Sequence, residues 1–107
     1  MTVLERLPEG ARAAIIRLRS LGDCVLTTPA LGLLKQLRPD ISVGVAVEDR
    51  FRTVFEGNTA VSEILSPSWQ AIRKWKPELC VNLHGGPRSL WMTALSGAKW
   101  RAGFAHP

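Results

Sequence analysis

AAIIRLRSLGDCVLTTPALGLLKQLR, residues 13–38, is the stretch whose reading decides the fold. Its first part, 13–19, predicts a strand. Ile15, Ile16 and Leu18 are good β-formers, and the turn residues Ser20-Leu21-Gly22-Asp23 follow at once. Its second part, 25–38, predicts a helix, because Leu26, Ala30, Leu33, Leu34 and Leu37 recur at helical spacing. Two starts are open for that helix. Asp23 as N-cap leaves Pro29 inside the helix at a cost, whereas Thr28 as N-cap puts Pro29 at the first helical position, where proline is welcome. Pro39-Asp40 closes it. Strand, turn and helix in that order make half of a βαβ unit, and a carboxylate stands where the strand gives way to the helix.

Outward from there the alternation continues. Residues 1–11 are polar and mixed. ISVGVAV (41–47) predicts a second strand, and EDRFRTVFEGN (48–58) a short helix stopped by Gly57-Asn58. A short third strand is expected over 61–65, then a helix opened by Pro67-Ser68 and closed by Pro77. ELCVNL (78–83) predicts a fourth strand, HGGPRS a turn, SLWMTALSG (89–97) a helix and AKWRAGF (98–104) a fifth strand. Strand–helix alternation throughout predicts an α/β fold, a Rossmann-like doubly wound parallel sheet with right-handed crossovers. Residues 1–107 read as one domain, with no repeat and no dividing linker.

Bulk properties narrow the function classes. Hydrophobic content of 46% is globular. Apolar runs are too short to span a bilayer, and no signal-peptide pattern is visible at the N-terminus. Cys24 and Cys80 make neither a disulfide framework nor a metal spacing, which fits a reducing cytoplasm. The net charge of +5 comes mostly from arginines scattered along the chain, with no Lys/Arg run of the nucleic-acid type. Such a surplus suits an anionic partner, whether phosphate, an acidic sugar or an anionic lipid surface, or else ordinary solubility.

In a doubly wound sheet, ligands bind beyond the carboxyl ends of the strands, where strand order reverses. The first and fourth strands are neighbours in the usual order, so SLGDC and HGGPRS are expected to face one cleft. The first loop has one glycine where a dinucleotide fingerprint has three, and it is no phosphate loop. Asp23 there would repel a pyrophosphate, so it reads either as a helix cap or as a base. His84 offers an acid/base, Gly85 and Gly86 a close backbone approach, and Arg88 a fork for carboxylate or phosphate. A Cys24–His84 nucleophile pair lacks an orienting third group. Trp69, Trp75, Trp91 and Trp100 read mostly as packing, with Trp69 and Trp75 partly exposed.

These residues together resemble the opening of the bacterial glycosyltransferases that include the lipopolysaccharide heptosyltransferases. The resemblance rests on Arg17-Leu18, Leu21-Gly22-Asp23 and Thr27-Thr28-Pro29-Ala30-Leu31. It continues through His84-Gly85, Arg88-Ser89, Leu95-Ser96-Gly97-Ala98 and Arg101-Ala102-Gly103-Phe104, so that it runs from residue 13 to 104. It implies one half of a GT-B architecture, the acceptor side, with the donor-binding domain absent from this chain. It implies transfer of a heptose-type sugar from a nucleotide-sugar such as ADP-heptose to a lipopolysaccharide-core or similar anionic glycolipid, with inversion and without a metal or other cofactor. Asp23 inherits the role of general base toward the acceptor hydroxyl. Arg19, Ser20, Gly22, Thr27, His84, Gly85 and Arg88 fall at substrate-binding positions. The family usually has Asp where this chain has Asn82.

Further expectations follow from the resemblance. The chain alone should not transfer sugar, and as a fragment it can self-associate through uncovered apolar surface. Its location would be cytoplasmic, with room for peripheral contact at the inner membrane. Nucleic acid is not an expected partner. Two other functions stay open: a non-catalytic module that binds a glycolipid or a partner protein, and a nucleotide-binding regulatory domain.

Overall fold

A parallel strand buried on both faces needs apolar residues at consecutive positions, and the strand segments here have them. The computed structural model describes residues 3–16, 21–83 and 87–103. Its strands are β1 (Arg12–Ile16), β2 (Ser42–Ala46), β3 (Glu63–Leu65), β4 (Leu79–Asn82) and β5 (Trp100–Gly103). Its α-helices are α1 (Val3–Arg6), α2 (Leu21–Leu37), α3 (Trp69–Trp75) and α4 (Pro87–Ala94), and a 3-10 helix spans Asp49–Val54. All pairings are parallel, and the strand order is β3-β2-β1-β4-β5. This is the doubly wound sheet that the alternation predicts.

Side-chain alternation sorts the core into two layers. Ala13, Ile15, Val43, Val45 and Leu79 face α1, α2 and the 3-10 helix, where they meet Leu7, Leu31 and Phe55. Ala14, Ile16, Ala46 and Cys80 face α3 and α4, where they meet Ile72, Met92 and Trp75. Right-handed crossovers require this division, because the chain moves one way from β1 to β3 and the other way from β3 to β5.

Several elements depart from expectation. Helix α2 begins at Leu21, so neither Asp23 nor Thr28 is its cap, and Pro29 lies inside it. Proline there removes one backbone hydrogen bond. The helix is held through that gap by the face it buries, with Leu31 at 2% exposure and Leu34 packed beside it. Between β2 and β3 the expected α-helix is a 3-10 helix. Its three-residue period stacks Phe51 and Val54 on the core side, which a spacing of three allows as readily as an α-helical turn does. Residues 3–6 form α1, where no element is expected. Helix α4 opens at Pro87, two residues before the expected start, with proline at its first position.

Helix α3 opens after Pro67-Ser68, as expected, and Ser68 caps it. The Ser68 hydroxyl accepts from the Ala71 amide at 3.2 Å. Lys76 then turns left-handed, at φ 57°, and stops the helix.

The N-terminal segment is tied to the end of α2 by one ion pair. Arg38 donates to Asp40 at 2.8 Å and to the carbonyls of Leu7 and Pro8, both at 3.2 Å. The Gly10 amide donates to the same carboxylate at 2.9 Å. These donors, Arg38 first, hold the Asp40 carboxyl well below the usual carboxylate range. A depressed folded value means that the stabilisation is complete above the ordinary carboxylate pKa, about 3.9, and is lost as pH falls below it. Asp40→Asn should therefore lower the melting temperature at neutral pH, and the gap to the parent should close on acidification. A gap that is the same at every pH would refute the role.

Candidate functional site at the carboxyl edge of the sheet

The strand order reverses at β1 and β4, which lie side by side. Ile16 is in register with Asn82, and the Leu83 amide donates to the Ile16 carbonyl at 3.0 Å. Ile16 and Asn82, the last described residues of these strands, are thus side by side. Arg19, Ser20, His84 and Gly85 lie outside the described residues. Of Gly22, Asp23 and Thr27 only the backbone is described, inside α2. The backbone of Asp23 thus lies within α2.

Arg88 is the one predicted ligand-binding side chain whose position is described. It is exposed, and its guanidinium donates to the Pro67 carbonyl at 2.7 Å. That bond joins the start of α4 to the loop after β3. Around it is a cavity of about 340 Å³, lined among others by Trp69, Gln70, Trp91 and Met92. A second cavity of about 460 Å³ lies beyond β2, lined by Glu48, Asp49, Arg50 and Pro67. Pro67 borders both. Indole faces, guanidinium groups and carboxylates are the groups that recognise a polyhydroxylated, charged ligand.

Asn82 is buried, at 5% exposure, on the α4 side of the sheet. A carboxylate at this depth would carry a charge that burial penalises heavily, whereas the amide is neutral and needs only hydrogen bonds. Close by, in β4, Cys80 is fully buried. Desolvation pushes its thiol up, which keeps it protonated and unreactive at neutral pH. Among the described residues no group of three or more His, Cys, Asp or Glu converges.

Sequence reasoning missed the loops after β2 and β3. Glu48, Arg50, Pro67 and Trp69 all sit at carboxyl ends of strands, so the rule that singled out SLGDC and HGGPRS applies to them too. It also misplaced one tryptophan. Trp91, expected in packing, is 66% exposed. Trp75 and Trp100 are half-buried, and Trp69 is partly exposed, as expected.

No protein-family model matches the chain, and no curated protein matches it. Among solved structures it is similar to the crystal structure of the glycosyl transferase family 9 from Veillonella parvula DSM 2008, with a TM-score of 0.79 and 21% sequence identity. The likeness covers 92% of this chain and 33% of that one, so this chain spans about a third of the length of that protein. At this identity the likeness establishes the fold: a glycosyltransferase-like, all-parallel α/β sheet.

Proposed function

We propose that the chain is the acceptor-side part of an inverting glycosyltransferase, which moves a heptose-type sugar from a nucleotide-sugar to a lipopolysaccharide-core or similar anionic glycolipid. The observation that carries this reading is the adjacency of β1 and β4. The resemblance rests on the sequence that follows each of these two neighbouring strands. The likeness in fold to a glycosyl transferase supports it. In this reading Asp23 accepts the proton of the attacking acceptor hydroxyl, which then displaces the nucleotide from the opposite face of the donor sugar. Arg88 and its neighbours hold acceptor phosphates or carboxylates. A donor-binding domain completes the enzyme, and this chain alone is inactive.

Thermal stabilisation is the test. A ligand at about 100 times its Kd stabilises a protein by about 2.7 kcal/mol. An anionic core oligosaccharide should raise the melting temperature of this chain, and a nucleotide-sugar should not. Stabilisation by the nucleotide-sugar with none by the oligosaccharide would replace this reading with a nucleotide-binding one.

A further inference from the structure

Strand β3 is an edge of the sheet, and among the described residues no strand pairs with its outer side. It is short, Glu63-Ile64-Leu65, with exposed Ser62 and Ser66 at its ends. An edge strand presents amides and carbonyls that no ladder satisfies. β3 holds no proline, and its register with β2 runs without a bulge, so its backbone can accept a further strand.

Two cavities flank this edge, one on each face of the sheet. One, of about 430 Å³, lies on the α3 side and is lined among others by Arg12, Leu65, Lys74 and Trp75. The other, of about 320 Å³, lies beside the 3-10 helix and is lined among others by Arg52, Phe55, Glu56 and Asn58. Glu63 and Ile64 border both. Leu65 packs in the layer under α3 and Ile64 in the layer under α2 and the 3-10 helix. A strand laid along β3 would likewise send successive side chains to opposite faces, and so into opposite cavities.

Charge distinguishes the two cavities. Ala71, Lys74 and Trp75, three and four apart, turn one side of α3 towards the first. There the Arg12 guanidinium lies over the Trp75 indole, 4.9 Å from its centroid, and donates to the Trp75 carbonyl at 2.9 Å. Lys74 and Glu63 are exposed, and among the described residues neither has an ion-pair partner. Two cations thus stand against one carboxylate. In the second cavity Arg52 is shared between Asp49 at 3.8 Å and Glu56 at 3.9 Å, which leaves no cation in excess.

We propose that β3 binds an extended, acidic segment of a partner protein by strand addition. An acidic side chain of that segment enters the cavity of Arg12 and Lys74, and a small polar one enters the cavity beside the 3-10 helix. Main-chain hydrogen bonds hold such a segment, and pockets for alternate side chains select it. Charge complementarity favours an acidic occupant over a second copy of this chain, whose net charge is +5. The inference rests on topology and charge and is independent of sugar transfer.

Fluorescence anisotropy with dye-labelled octapeptides tests it, without any sugar ligand present. A peptide of alternating Asp and Thr should bind, and one of alternating Lys and Thr should not. Four Asp followed by four Thr, the same composition without alternation, should bind more weakly. A copy of the alternating Asp/Thr peptide with every amide N-methylated should not bind, because it keeps the charge and loses the ladder. Lys74→Glu should weaken binding about fivefold, the worth of one exposed ion pair. Lys99→Glu, the same charge change just before β5 at the opposite edge, should leave binding as it is. Circular dichroism shows whether each variant keeps its fold. The proposal fails if no octapeptide binds, if the N-methylated copy binds as well as its parent, or if the two lysine variants lose binding equally. It fails also if amide exchange at 63–65 slows with chain concentration and not with peptide, which would make a second copy the occupant.

Discussion

Asp23→Asn in the enzyme completed by its donor-binding domain should lower kcat by about 10²–10⁴-fold, the usual contribution of a general base. The acceptor KM should hardly move. Asparagine keeps the size of the side chain and its capacity to accept a hydrogen bond, but it cannot take up a proton near neutral pH. Loss confined to kcat is the mark of an interaction made only in the transition state. If Asp23 serves the helix instead, as a favourable charge in the first turn of α2, the substitution should cost stability and leave turnover intact. A paired measurement of kcat and melting temperature separates the two roles. Unchanged kcat would remove Asp23 from the chemistry.

Gly44→Val should destabilise the chain by about 1–3 kcal/mol, the range for overpacking a filled core. Gly44 sits in the middle of β2, where glycine ordinarily weakens a strand. Its value here is space. A Cβ on Gly44 would meet Leu65 Cδ1 at 2.9 Å and the Trp75 indole at 3.0 and 3.1 Å. Leu65 can turn aside, but Trp75 cannot move freely. Its ring nitrogen donates to the Ala13 carbonyl at 3.2 Å, and the Arg12 guanidinium lies over the ring, 4.9 Å from its centroid. At ~4–8 °C per kcal/mol for a chain of this size, the melting temperature should fall by roughly 5–20 °C. A fall of less than that range would mean that Trp75 repacks without cost.

Much of this architecture was legible in the chain. Runs such as SVGVA and LCVN, bracketed by turn residues, have few alternatives to buried parallel strands, and all five expected strands are present. Helix ends were less legible where rules compete. Proline at a first helical position is a good local rule, but α2 already runs as helix from Leu21 and carries Pro29 inside it. Phe51 and Val54, three apart, fit either helix type, so the 3-10 helix was hidden in the spacing. At the site, the meeting of β1 and β4 followed from topology alone. The role of Pro67, and the cavity of Arg12 and Lys74 beside β3, arise from residues far apart in sequence that only the packing brings together.

The central position of β1 has a consequence for synthesis. Its pairing with β2 is local, but its other edge waits for β4, and the Arg12–Glu78 bond at that seam spans 66 residues. At ~5–20 residues per second, translation takes roughly 3–13 s to cover that distance. Throughout that time a run of alanine and isoleucine stands as an open strand edge on the nascent chain, the kind of edge that pairs with whatever strand it meets first. The strand at the heart of the finished sheet is thus the one most in need of shelter while the chain is being made.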